Sequence, residues 1–82
     1  MIKLLFFGQL KEQLGVASTE FKASTEITVA QLLQALIQAN PQWEQDLNND
    51  SILVAVDQMM AKPDTLVSMS SEVAFFPPVT GG

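Results

Sequence analysis

Between Thr28 and Asn40 the chain carries a pattern that fits one kind of element. Val29, Leu32, Leu33, Leu36 and Ile37 recur at i, i+3, i+4, i+7 and i+8, the apolar stripe of an amphipathic helix. Thr28 with Gln31 three residues later makes a capping-box pattern at its start, and Pro41 ends it. A lone stripe of this kind has to be buried against another layer, and the rest of the chain offers strands for that purpose. Ile2 to Phe7 and Ile52 to Val56 are short apolar runs, while Glu72 to Pro77 alternates, with Val73 and Phe75 on one face and Ala74 and Phe76 on the other. A fully buried leucine or isoleucine contributes roughly 1.5 to 3 kcal/mol. Leu33→Ala and Leu36→Ala are therefore expected among the most damaging substitutions.

The connecting segments fill in the order. Leu10 and Leu14 followed by Gly15 predict a helical turn or two closed by a glycine cap, and Thr19 to Ala23 a weak second strand. Trp43 and Leu47 fold back at an i, i+4 spacing in a short helical connection, and Asn48-Asn49-Asp50 make a turn. Asp57-Gln58 reads as a tight turn into a short strand at Met59 to Ala61, ended by Pro63, and Thr65 to Val67 as a single turn. Strand, strand, long helix, strand, short strand, strand is an α+β order. It predicts one main helix packed across one face of a small mixed sheet, with residues 1–77 as the domain and 78–82 as an extended tail.

Composition narrows the chemistry. Among 82 residues there is no cysteine, histidine or tyrosine, which removes thiolate nucleophiles, disulfides, ordinary zinc sites and imidazole bases. A net charge of −5, with only Lys3, Lys11, Lys22 and Lys62 positive, argues against nucleic acid as a partner and in favour of a basic protein. No stretch approaches the roughly 18 apolar residues of a membrane span, and Gln9 and Lys11 arrive too soon for a signal-peptide core. The expectation is a soluble, cytoplasmic domain with no membrane partner and no metal. Met59 and Met60 lack the Cys or His that would accompany a soft-metal site. The acidic residues read as a solvated surface, some of which, such as Asp64 or Glu72, steer a basic partner.

The ending Phe75-Phe76-Pro77-Pro78-Val79-Thr80-Gly81-Gly82 is the most informative segment. Two prolines stop a strand and stiffen its exit, and the five residues from Pro78 to Gly82 reach roughly 16 to 18 Å when extended. Gly81 and Gly82 have no side chains, so a terminal carboxylate can enter a narrow channel where a Cβ would clash. That carboxylate is the one reactive handle the composition leaves. Activated as an acyl-adenylate, it becomes open to attack by sulfur, giving a thiocarboxylate held on backbone atoms.

With its opening Ile2-Lys3-Leu4-Leu5-Phe6-Phe7, its apolar strand at Ile52 to Val56 and its ending Glu72 to Gly82, the whole chain resembles the small, sulfur-carrier subunits of molybdopterin synthase, which have the ubiquitin-like β-grasp fold. The resemblance implies that an E1-like adenylating enzyme consumes ATP to activate Gly82, and that a sulfur donor protein converts it to the thiocarboxylate. Val79, Thr80 and Gly81 provide clearance for the tail. The large synthase subunit then receives the tail, and sulfur passes to cyclic pyranopterin monophosphate to form the molybdopterin dithiolene. It further implies a heterotetramer, no permanently bound cofactor and no catalytic machinery in the carrier alone. Two turns depart from the family pattern: Ser70-Ser71 stand where an Asp-Gly-Asp-like turn is usual, and Asp57 where Asn is common.

If the helix covers the face bearing Ile2, Leu4, Phe6, Val73 and Phe75, then Leu5, Phe7, Met60 and Phe76 lie on the other. With Pro77 and Pro78 they form an expected partner interface, unless the connection around Trp43 covers them. Two other classes share the pattern: a thiamine-pathway sulfur carrier or ubiquitin-like modifier with the same tail chemistry, and a non-catalytic β-grasp interaction module.

Overall fold

The first and last strands lie side by side at the centre of the sheet. In chain order the computed structural model, which describes residues 1–49 and 51–77, comprises β1 (Ile2–Phe6), α1 (Gly8–Leu14), β2 (Ser18–Phe21), β3 (Ile27–Thr28) and α2 (Val29–Ala39). A single 3-10 turn (Pro41–Trp43) follows, then α3 (Glu44–Leu47), β4 (Leu53–Val56), β5 (Met59–Met60), β6 (Leu66–Val67) and β7 (Glu72–Phe76). The main sheet has the order β2-β1-β7-β4-β5. Its central pair, β1 and β7, is parallel, and the other neighbours are antiparallel. This is the mixed sheet of an α+β fold, with the helices on one face.

Local chemistry explains the element ends. At the start of α2 the Gln31 N–H donates to Thr28 Oγ1 at 3.1 Å and the Thr28 N–H to Gln31 Oε1 at 2.9 Å, so both halves of the capping box form. Asn40 closes the same helix through an N–H donated to the Leu36 carbonyl. Gly15, at φ 80°, caps α1 and donates its N–H to the Lys11 carbonyl. Asp57 and Gln58 both have positive φ, 49° and 71°, the tight hairpin turn whose twist suits two antiparallel strands.

The core lies between the sheet and the helices. Ile2, Leu4 and Phe6 of β1, Val54 and Val56 of β4, and Val73 and Phe75 of β7 face Leu32 and Leu36 of α2, with Leu10, Trp43 and Leu47 completing the cluster. Leu33 differs from expectation. It is only partly buried and packs at the margin of the core, because α2 aims Val29, Leu32 and Leu36 at the sheet. A second correction concerns Thr65 to Val67, expected as a turn. Leu66–Val67 is instead a short strand paired with β3, Ile27 opposite Val67, a register that only tertiary contact supplies. No buried side-chain nitrogen or oxygen among the described residues lacks a partner.

Candidate functional site

Parallel pairing of β1 with β7 brings two Phe-Phe dipeptides into register. Phe6 stands opposite Phe75, so Phe7 and Phe76, one residue further along, fall beside each other on the opposite face. The Phe7 N–H donates to the Phe75 carbonyl at 3.1 Å, carrying the pairing past the end of β1. In the core, Phe6 and Phe75 stack with ring centroids 5.4 Å apart. On the open face Phe7 and Phe76 stack more closely, 4.9 Å apart and 8° from parallel.

That face carries no helix. Trp43 instead packs edge-on against Phe6 in the core, 5.7 Å away, so the connection around it covers the core face and leaves Phe7 and Phe76 uncovered. Strand register orders the open face into rows. Phe7, Phe76 and Leu53 form the row at the end where β7 leaves the sheet. Leu5, Ala74, Ala55 and Met60 form the next. Phe7 is 42 % exposed, Leu53 40 % and Met60 67 %, a contiguous apolar surface that a small domain does not ordinarily leave in water. Leu53 belongs to this surface although periodicity alone did not single it out. Its signal was the alternation within residues 52–56, readable once β4 is known to pair with β7.

Pro77 continues the strand and seats against the start of α1. A Cβ on Gly8, which has φ +59°, would lie 3.0 Å from Pro77 Cγ, so the small residue there permits the close approach. The structure thus brings together Phe7, Met60, Phe76 and Pro77 of the expected interface. The remaining expected site residues, Pro78, Val79, Thr80, Gly81 and Gly82, lie outside the described residues, as does Asp50.

At the other end of the sheet the two departures from the family pattern meet. Ser71, almost fully buried, donates its hydroxyl to Asp57 Oδ2 at 3.0 Å, and the Glu72 N–H donates to Asp57 Oδ1 at 2.9 Å. The Ser68 N–H donates to Ser71 Oγ at 3.0 Å. Asp57 thereby ties the β4–β5 turn to the entry of β7. An apolar groove of about 480 Å³ runs between α2 and the β4–β5 hairpin, past Leu33, Ile37 and Ile52, with Lys62 its one charged lining residue among those described. Among the described residues no group of three or more Asp, Glu, His or Cys is placed to hold a metal ion, and no helix is long and apolar enough to cross a membrane.

Comparison with known proteins agrees with this geometry. The sequence model of the ThiS family matches residues 4–82. The chain is 42% identical over 82 residues to the molybdopterin synthase sulfur carrier subunit of Escherichia coli (strain K12), spanning all of both chains. Among solved structures, SAMP1 from Haloferax volcanii superposes with a TM-score of 0.81 at 29% identity, covering 99% of this chain and 98% of that one. Subunits 1 and 2 of molybdopterin-converting factor from Helicobacter pylori 26695 have been solved as a protein–protein complex; a chain of it shares the fold, with TM-score 0.66 and 22% identity over 99% of this chain and 97% of that one.

Proposed function

The chain belongs to the ThiS family, and from that premise we propose that it is the sulfur carrier of a molybdopterin synthase, with the carboxylate of Gly82 as its reacting group. The observation that carries this reading is the full-length match to a protein named for that role. The open sheet face supports it. The strand leading to the tail emerges between Phe7 and Leu53, in an exposed apolar surface suited to a large-subunit partner.

The chemistry needs no side chain of the carrier. An E1-like enzyme presents ATP, and a Gly82 carboxylate oxygen attacks its α-phosphorus, releasing pyrophosphate and leaving an acyl-adenylate. Sulfur supplied by a donor protein at the sulfide level attacks the carbonyl and displaces AMP, and the net change is one oxygen exchanged for one sulfur. The thiocarboxylate enters the large subunit's active site, with Val79, Thr80 and Gly81 passing the channel, and delivers sulfur to cyclic pyranopterin monophosphate. Side-chain-free glycines permit close approach of the terminal carbonyl to the partner's groups. The absence of Cys and His from the sequence is consistent with a carrier whose partners hold the catalytic groups.

Mass spectrometry of the chain after incubation with the activating enzyme, ATP and a sulfur donor tests the reading. The four methionines are all half-exposed or more, and oxidation of any one adds nearly the same mass as the exchange. The expected gain therefore has to sit on the methionine-free fragment beginning at Ser70. No gain there refutes the carrier reading, and one residue added after Gly82 abolishes the gain if the terminal carboxylate reacts. The likeness to SAMP1 keeps a protein-modifier reading in view, which predicts an isopeptide adduct of Gly82 on a lysine.

A further inference from the structure

The open face has two chemically distinct ends. Rows at the tail end are apolar. Four residues back along β7 the register sets Lys3 opposite Glu20 on one side and opposite Glu72 on the other. These side chains share the open face, since residues paired across strands point the same way. Asp57 adjoins them, because its backbone N–H donates to the Glu72 carbonyl and its carboxylate accepts from the Glu72 N–H. Glu20, Glu72 and Asp57 thus outnumber the side-chain cations at this end, Lys3 in the same row and Lys22 two residues beyond Glu20, leaving a local excess of negative charge. A shallow depression beside them is bordered by Lys3, Ser18, Thr19 and Glu20.

Resting on the reading of this face as the large-subunit dock, we propose that it recognises a two-part surface on that partner: an apolar patch at the mouth that takes the tail, and a cationic side chain about 13 Å away. The spacing follows from four residues of strand at about 3.3 Å each. Charge complementarity selects a cation, because the acidic row is largely exposed and lies on the same surface as the apolar rows. The two ends have different duties. Fully desolvated apolar contacts hold the complex, while exposed charges at its rim act mainly on the rate and orientation of encounter. An oriented carrier meets its partner with the tail already facing the mouth, which two apolar patches alone would not ensure.

Association of the full chain with the large subunit, followed by stopped flow at several ionic strengths, tests this. The double variant Glu20→Lys with Glu72→Lys is expected to slow association at low salt by about tenfold or more and to flatten its salt dependence. Glu26→Lys with Glu44→Lys produces the same change in net charge away from the acidic row and is expected to have a much smaller effect. Lys3→Glu deepens the acidic end and is expected to speed association, a gain that a folding defect does not produce. Equal slowing by the two double variants, or no change with Glu20→Lys and Glu72→Lys, overturns the proposal. Phe76→Asp separates the two readings. If it abolishes binding while the charge variants do nothing, the dock stands and the cation match falls; if it leaves affinity unchanged while the charge variants act, the two-part surface falls.

Discussion

Adjacent residues on β7 provide a sharp perturbation, because Phe75 and Phe76 point to opposite faces of one strand. Phe75 has no exposed surface and stacks on Phe6. Truncation of such a core phenylalanine to alanine costs about 3 to 5 kcal/mol in lost transfer energy and residual cavity. For 82 residues, the total stability to be expected is only about 4 to 12 kcal/mol. Phe75→Ala is therefore expected to leave a marginal fold, or none, at physiological temperature. Phe76 keeps one side open to solvent and contacts Phe7 on the other face. Its removal forfeits part of a phenylalanine burial of roughly 1.5 to 3 kcal/mol, so about 1 kcal/mol of stability, or a Tm lower by about 4 to 8 °C.

Binding should rank the same two positions in reverse. A central aromatic anchor lost from an interface costs about 2 kcal/mol or more, which is roughly a thirtyfold weaker Kd. Urea titration monitored through Trp43, alongside calorimetric titration with the large subunit, measures both quantities on each variant. Folded Phe76→Ala with affinity reduced as stated is the expected result. If Phe76→Ala destabilises the chain as much as Phe75→Ala, the open face is not open, and if it folds and binds normally, Phe76 is no anchor.

Core position within α2 is tested by Leu32→Ala and Leu33→Ala: the first should cost about 2 to 5 kcal/mol, the second, at the core margin, about 1 kcal/mol, compared by denaturant midpoints. Thr28→Ala removes one half of the capping box and should lower stability by about 1 kcal/mol, with Thr28→Ser restoring most of it in thermal melts. Asp57→Asn should be nearly neutral, within about 1 kcal/mol, because an amide oxygen still accepts from the Glu72 N–H and its NH₂ group donates to a reoriented Ser71 hydroxyl. Ser71→Ala, which strips partners from both Asp57 and Ser68 at a buried site, should cost about 1 to 3 kcal/mol by chemical denaturation.

Elements whose signals are local were legible in the sequence. The α2 helix, its capping box and the Gly15 cap depend on residues within four positions of one another, and all three form where the sequence places them. The pairing of β3 with β6 was not legible, because Ile27–Thr28 and Leu66–Val67 are two residues each, too short for alternation to register. Leu33 was overrated for a related reason. A stripe specifies which residues share a helix face, whereas the rotation of that face against the sheet decides that Leu32 and Leu36 are central and Leu33 marginal. The open face was half legible: alternation placed Leu5, Phe7 and Phe76 together, but only the β4–β7 register adds Leu53.

The position of β7 in the sheet matters as much as its composition. An edge strand would deliver the end of the chain with protein on one side only. As a central strand between β1 and β4, β7 releases Pro77 from a row formed by Phe7, Phe76 and Leu53, with apolar side chains on both flanks of the exit. A partner that covers this row necessarily meets Pro77, which leads into the tail, so on the proposed function binding energy gathered on the sheet acts at the point where the tail would be threaded. The proposed binding residues thus sit on or beside strands, which hold their positions through backbone pairing, while the proposed reacting atom belongs to Gly82, which like Gly81 has no side chain to clash. The two demands, a precise dock and a slender reactive end, fall on opposite sides of Pro77. A chain without cysteine or histidine can meet both, because neither asks a side chain to react.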